Sequence, residues 1–106
     1  MTTFDKREKD FEKKYKHDQD LQFKVEVRRN KLLGLWAAEL LGKAGAEADA
    51  YAKEVVAADF EEPGDADLVR KVLGDFEAAG TEFSEHRLRK MMDELLAVAK
   101  EQVMEE

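Results

Sequence analysis

Residues 20–41, DLQFKVEVRRNKLLGLWAAELL, decide the fold because two hydrophobic periods compete within them. Apolar and polar residues alternate from Leu21 to Val27, which taken alone indicates a β-strand. No turn follows Val27, however, and a single short strand would have no partner elsewhere in the chain. Apolar residues also recur at helical spacing over the whole stretch: Leu21, Val25, Leu32, Leu35, Trp36 and Leu40. We therefore predict one long helix, with Asp18 or Asp20 as its N-cap and Trp36 in the core.

The composition favours helices in the rest of the chain as well. Its 106 residues suffice for one compact domain, and alanine, leucine, glutamate and lysine, which cost least in a helix interior, dominate. The chain has no cysteine and a single proline. We therefore do not expect an all-β fold, a disulfide framework or a zinc module built on thiolates.

Three further helices are predicted from apolar stripes and boundary residues, at about 46–60, 66–79 and 85–104. Asp65 and Ser84 are the expected N-caps of the last two. Phe83 and Leu88 flank the second of these caps at the spacing of a hydrophobic staple. Leu40 and Leu95 are expected to pack against Trp36. The predicted helix ends coincide with glycines or with a proline–glycine pair: Gly42, Gly45, Pro63–Gly64 and Gly80.

The first 18 residues differ from this body in charge and in pattern. Residues 1–31 carry a net charge of +3, whereas residues 32–106 carry −10. Phe4, Phe11 and Tyr15 share one face of a predicted helix, although three rings cannot form a core of their own. We expect a mobile or frayed helix that contacts no core and offers its rings to a partner's groove. The predicted fold is thus all-α: a small four-helix bundle (19–106) with a charged, mobile N-terminal extension (1–18).

Residue types suited to catalysis are scarce. The two histidines, His17 and His86, are expected on the surface, and the single serine is a helix cap. The segment GKAG at 42–45 lacks the length of a phosphate-binding loop. Carboxylates between Asp59 and Asp67 do not match a calcium loop, so we expect a solvated turn there. We therefore predict no catalytic, cofactor or metal site.

The charge and hydropathy also bear on partners. An acidic body argues against nucleic acid, because phosphate binding depends on lysine and arginine. The longest apolar stretch, Leu32 to Leu41, is too short to cross a bilayer, and no signal peptide is evident. We expect a cytoplasmic protein that is a monomer when free.

Long runs of the sequence resemble the zeta subunit of alphaproteobacterial F-type ATP synthases. The similarity lies in the opening MTTFDKREKDFEKKY, in residues 17–42 with RRNKLLG, and in residues 50–72 with YAKEVV and ADFEEPGD. The resemblance implies a four-helix body and an inhibitory N-terminal segment. In this family that segment enters a catalytic interface of the ATPase head, at the inner face of the cytoplasmic membrane, and stops ATP hydrolysis.

Combining the aromatic spacing with this resemblance gives a set of expected contacts to the ATPase head. Aromatic rings would anchor the segment as a helical continuation of the body, and mixed charges would fix its register, with a hinge at 17–20. The alternative is a helical interaction module that regulates another cytoplasmic protein through the acidic bundle surface. The predicted partner-binding residues are Phe4, Arg7, Glu8, Phe11, Glu12, Lys13 and Tyr15.

Overall fold

The computed structural model describes the backbone of residues 3–60 and 64–106, and the side chains of residues 6–60 and 64–106. These ranges contain five helices and no strand: α1 Thr3–His17, α2 Gln19–Leu40, α3 Ala46–Ala58, α4 Ala66–Ala78 and α5 Glu85–Met104. The all-α class is confirmed, and the competing strand interpretation of 21–27 is wrong. Five helices are seen where a four-helix bundle with an extension was expected, because the extension is itself helical.

The main core lies where α2 meets the three helices that follow it. Leu33 of α2 and Val55 of α3 are fully buried there, together with Val72 of α4 and Leu88 of α5. The remaining buried members of this cluster are Ala37, Ala38, Tyr51, Leu68, Val69, Phe76 and Met92. Every helix from α2 to α5 therefore contributes to one cluster. The face of α2 that enters it is not the predicted one, because Leu33, Ala37 and Ala38 are buried there whereas Trp36 is only partly buried and Leu40 is exposed.

The helices differ in length, and this decides what lies at one end of the bundle. Helices α2 and α5 have 22 and 20 residues, whereas α3 and α4 have 13 each. At 1.5 Å per residue the longer pair extends roughly 10–14 Å beyond the shorter pair. A second buried cluster, Val25 of α2 with Ala99 and Val103 of α5, occupies that extension.

Helix α2 packs so closely on α3 that one contact position requires glycine. A Cβ atom built on Gly34 would lie 2.6 Å from the Cα of Ala52 and 3.3 Å from the Cβ of Val55. The backbones of the two helices therefore touch at Gly34 and Ala52, and this contact sets the distance between α2 and α3.

Two of the predicted caps form as expected and one does not. The side chain of Asp18 accepts a hydrogen bond from the Leu21 amide at 3.1 Å, and Ser84 accepts one from the Arg87 amide at 3.1 Å. Asp65 occupies the N-cap position of α4 but makes no side-chain cap bond. Its carboxylate instead receives two hydrogen bonds from Arg29, at 2.9 and 3.3 Å.

Trp36 lies at the margin of the main core rather than in its centre. Its ring is partly buried and meets Phe76 and Phe83 edge-on, with centroids 6.0 and 5.3 Å away. The expectation that Leu40 packs in the core beside Trp36 is wrong, since Leu40 is 43% exposed.

A buried polar cluster joins α2 to the ends of α3 and α4. Arg29 and Asn30, 7% and 1% exposed, are the buried polar residues among those described. The Asn30 amide donates to Oδ2 of Asp59 at 2.8 Å, and Arg29 Nη2 lies 3.9 Å from the same oxygen. Oδ1 of Asp59 is buried without a hydrogen-bond partner among the described residues. Arg29 and Asn30 of the run RRN therefore meet Asp59 and Asp65 in the folded chain.

Burial raises the pKa of Asp59 above its ordinary value. The hydrogen bond from Asn30 acts in the opposite direction and lowers this pKa, and the neighbouring Asp65 carboxylate raises it. Burial likewise raises the pKa of Glu26, one turn before Asn30, against the lowering effect of Arg29. The cluster thus holds more carboxylate charge than Arg29 alone can neutralise.

We expect Gly34→Ala to lower the free energy of unfolding by about 1–3 kcal/mol, because the new methyl group meets the α3 backbone. The matched control is Gly74→Ala in α4, where an added Cβ meets nothing within 4 Å. That change should raise stability by about 0.5–1 kcal/mol, since alanine costs less in a helix. Urea denaturation measures both. Equal stability of the two variants would contradict the close helix contact.

The raised pKa of Asp59 gives its contribution to stability a definite sign with pH. The folded state keeps the proton to a higher pH than the unfolded chain, so protonation stabilises the fold fully below about pH 4 and progressively less as pH rises through the folded pKa. Wild type should therefore gain stability relative to Asp59→Asn when the pH falls from 7 to about 4. Urea denaturation across this range measures the difference. Glu77→Gln, at an exposed position, serves as the control. A stability difference between wild type and Asp59→Asn that does not change with pH would contradict the raised pKa of Asp59.

Candidate partner-binding helix

Helix α1 carries the predicted partner-binding residues and lies against the extended end of the bundle. A single residue, Asp18, separates α1 from α2, with φ −104° and ψ 104°. Its amide donates to the Lys14 carbonyl at 2.9 Å, and its side chain caps α2. Gln22 donates from Nε2 to the Tyr15 carbonyl at 2.7 Å. The junction at 17–20 is therefore hydrogen-bonded on both sides, at the position where a hinge was predicted.

Two of the three predicted aromatic anchors are engaged with the protein's own body. Phe11 and Tyr15 are partly buried against the cluster of Val25, Ala99 and Val103. Their rings stack at 6.3 Å with 20° between planes. The expectation that the segment contacts no core is therefore wrong for these two residues. The side chain of Phe4 lies outside the described residues.

Polar contacts from α1 reach the C-terminal half of α5. Arg7 Nη2 donates to the Met104 carbonyl at 2.8 Å. Nζ of Lys100 lies 3.4 Å from Glu12 Oε1 and 4.3 Å from the centroid of the Tyr15 ring. Burial raises the pKa of Tyr15, and the nearby carboxylate of Glu26 acts in the same direction. Lys100 thus contacts both the carboxylate of Glu12 and the ring of Tyr15 in α1.

The structure divides the predicted residues into two groups. Arg7, Phe11, Glu12 and Tyr15 face α5 and together form what we call the seat contact. Glu8 is exposed and borders a shallow groove between α1 and α5 that Leu96 also lines. The exposed side chain of Lys13 takes no part in the seat contact.

Lys100 and Met104 of α5 were not among the residues predicted from the sequence. Nothing in their spacing marks them, because a lysine on a charged helix is ordinarily solvated. The available signal was the length of the helices. The first and last predicted helices of the body have 22 and 20 residues, whereas the two between them have 15 and 14. The shorter helices therefore cannot reach the apolar residues Val25 and Val103, which need another segment to pack against them.

No described helix is long and apolar enough to span a membrane. Within the described part of the chain, no group of three acidic, histidine or cysteine side chains is placed to hold a metal ion. Asp59 and Asp65, from the acidic run considered above, turn towards Asn30 and Arg29 instead. Glu61 and Glu62 lie outside the described residues.

We expect Phe11→Ala to loosen α1 without unfolding the main core. Because the ring is only partly buried, its loss should lower the free energy of local opening of α1 by about 1 kcal/mol, less than the ~3–5 kcal/mol expected for a fully buried ring. Amide exchange in α1 should then accelerate about fivefold or more, while exchange around Leu33 stays unchanged. The exposed neighbour Lys14→Ala is the control. Unchanged exchange in α1 of Phe11→Ala would mean that the ring does not hold the helix.

Comparisons with known proteins place this fold in a family. The family model described as ATPase inhibitor subunit zeta matches residues 1–102, which includes all of α1 and nearly all of α5. No match was found among curated proteins. A protein solved by solution NMR is similar at 56% sequence identity and a TM-score of 0.72, over 80% of this chain and 96% of that one. The family match spans nearly the whole chain and agrees with the resemblance found in the sequence. The chain therefore belongs to the ATPase inhibitor subunit zeta family, which gives it an ATPase-regulatory role in association with ATP synthase.

Proposed function

We propose that this protein is a non-enzymatic subunit that inhibits ATP hydrolysis by the catalytic head of F-type ATP synthase, with α1 as the inserting element. Family membership supports the regulatory role. The mechanism rests on the observation that α1 is a separate helix of 15 residues, whose connection along the chain to α2 is the single residue Asp18. The protein acts as a monomer from the cytoplasmic side of the membrane in this proposal.

A preformed α1 changes the energetics of insertion. Ordering a coil costs about 1–2 kcal/mol per residue, which over 15 residues exceeds the ~5–8 kcal/mol gained by burying two phenylalanines and a tyrosine. A helix that is already formed and connected to α2 at Asp18 has lost most of this conformational entropy before it binds. Aromatic burial can then contribute to affinity, and the exposed Glu8 and Lys13 can fix the register of the helix.

The seat contact competes with insertion. Phe11 and Tyr15 cannot pack against Val25 and Val103 and against a partner's groove at once. Insertion therefore requires α1 to leave α5 and to break the contacts of Arg7 and Lys100. Partial burial of two rings and two solvent-accessible polar contacts amounts to roughly 2–3 kcal/mol, so the seat contact lowers the apparent affinity about 30- to 160-fold.

The deciding experiment titrates the cognate purified ATPase head and measures ATP hydrolysis. Full-length protein should inhibit, and a form that begins at Asp18 should not, because it lacks α1. Circular dichroism should show that the shortened form stays helical, with reduced stability because its apolar end is uncovered. Inhibition by the shortened form equal to that of the whole chain would place the active surface on the acidic bundle instead.

The same titration tests the competition through a residue of α5. Lys100→Glu places a negative charge beside Glu12 and removes the cation from the Tyr15 ring, so it should release α1. Since Lys100 is not part of α1, this variant should inhibit about three- to tenfold more strongly than wild type. Lys90→Glu, an equal charge change on an exposed position of α5, is the matched control. Weaker inhibition by Lys100→Glu would show that the seat contact helps insertion rather than opposing it.

A further inference from the structure

A second exposed apolar feature lies between α2 and α3, away from the seat contact. Phe23 and Phe60 are 54% and 56% exposed, and their rings stack at 5.5 Å with 21° between planes. Among the other described residues, only Leu40 and Val98 are large apolar side chains with comparable exposure. Two stacked phenyl rings in solvent thus form an ordered apolar surface that no described residue covers.

The stacked rings continue into a groove along both helices, which we call the α2–α3 groove. Its apolar lining comes from Val27 of α2, from Ala52, Val56 and Ala57 of α3, and from Phe60, two residues past the end of α3. From Asp49 to Ala57 the α3 side of the groove runs about 12 Å, or just over two helical turns, and Phe60 continues it past the end of the helix. Its lining is mostly apolar, with small side chains at Ala52 and Ala57. The groove therefore offers an apolar surface suited to one face of an amphipathic helix.

The groove carries more positive than negative charge. Lys31 from α2 and Lys53 from α3 line it and are exposed, and Asp49 of α3 is the one carboxylate among its described lining residues. Neither pairs with a carboxylate of the described residues, although the chain as a whole has a net charge of −7. By contrast, Lys24, Lys71 and Lys100 all lie within ion-pair distance of a carboxylate. Unpaired lysines beside exposed rings on an acidic protein favour an acidic partner.

We propose that the α2–α3 groove binds an amphipathic helix of a partner protein that bears acidic residues beside its apolar face. The apolar face covers Val27, Val56 and the Phe60 ring, and the acidic residues pair with Lys31 and Lys53. A second copy of this chain fits less well, because a twofold contact through the groove brings these lysines towards their own copies. The groove shares no residue with α1, so this inference stands independently of the insertion mechanism.

Titration of isotopically labelled full-length protein with two model helices tests the proposal by NMR. One peptide of 18 residues carries leucine on one face and glutamate on its flanks, and the other carries lysine in place of glutamate. The acidic peptide should shift the amides of Val27, Lys31, Lys53 and Val56, and the basic one should bind at least about fivefold more weakly.

Variants separate the apolar and the charged contributions. Phe60→Ala should weaken binding of the acidic peptide about tenfold or more, because its ring is the largest apolar surface in the groove. The double change Lys31→Glu with Lys53→Glu should reverse the preference between the two peptides. Val98→Ala and Lys90→Glu, at exposed positions of α5, are the matched controls and should leave both affinities unchanged. Every substituted side chain is exposed, so circular dichroism should report an unchanged fold.

Four outcomes would overturn the proposal. These are the absence of amide shifts at millimolar acidic peptide, shifts located outside the α2–α3 groove, and a peptide preference that the double lysine variant does not alter. The fourth is occupation of the groove by something else. Sedimentation equilibrium would reveal this as a dimer lost in Phe60→Ala, and flotation as binding to phosphatidylglycerol vesicles lost in the same variant.

Discussion

The arrangement of this protein depends on the difference in length between its long and its short helices. Where α3 and α4 end, α2 and α5 continue, and the apolar side chains of Val25, Ala99 and Val103 continue with them. Water at that end of the bundle would be costly, since each fully buried aliphatic side chain contributes about 1.5–3 kcal/mol. Helix α1 covers the end. Its position is thus a consequence of how the body is built as well as of its own sequence.

In the proposed mechanism, the same constraint lets α1 combine a structural and a regulatory part. The rings that cover the end of the bundle are those with the spacing expected of anchors in a partner's groove. A helix that serves both surfaces exchanges one apolar environment for another when it moves, so neither state leaves the rings in water. Side chains on one face suffice for both contacts, which leaves the other faces of α1 free to remain charged.

Much of the fold was predictable from the sequence because the helices obey local rules. The bounds of α2 and α5 and the caps at Asp18 and Ser84 follow from apolar period and capping chemistry, and the observed bounds lie within two residues of those predicted. The role of Asp65 was not predictable, because its partner Arg29 lies 36 residues away. The packing of Phe11 and Tyr15 was missed for a related reason. It depends on which helices end early, a property of the assembled bundle rather than of any one segment.

The junction at Asp18 also has a mechanical consequence. Because one extended residue connects two helices, α1 would turn about that residue as a lever once released from α5, with an arm of roughly 22 Å for its 15 residues. A backbone rotation of about 20° at the junction displaces the tip of the lever by roughly 8 Å, which exceeds the width of a side-chain contact layer. A small change in two dihedral angles is therefore amplified into a displacement large enough to move the start of α1 from one protein surface to another.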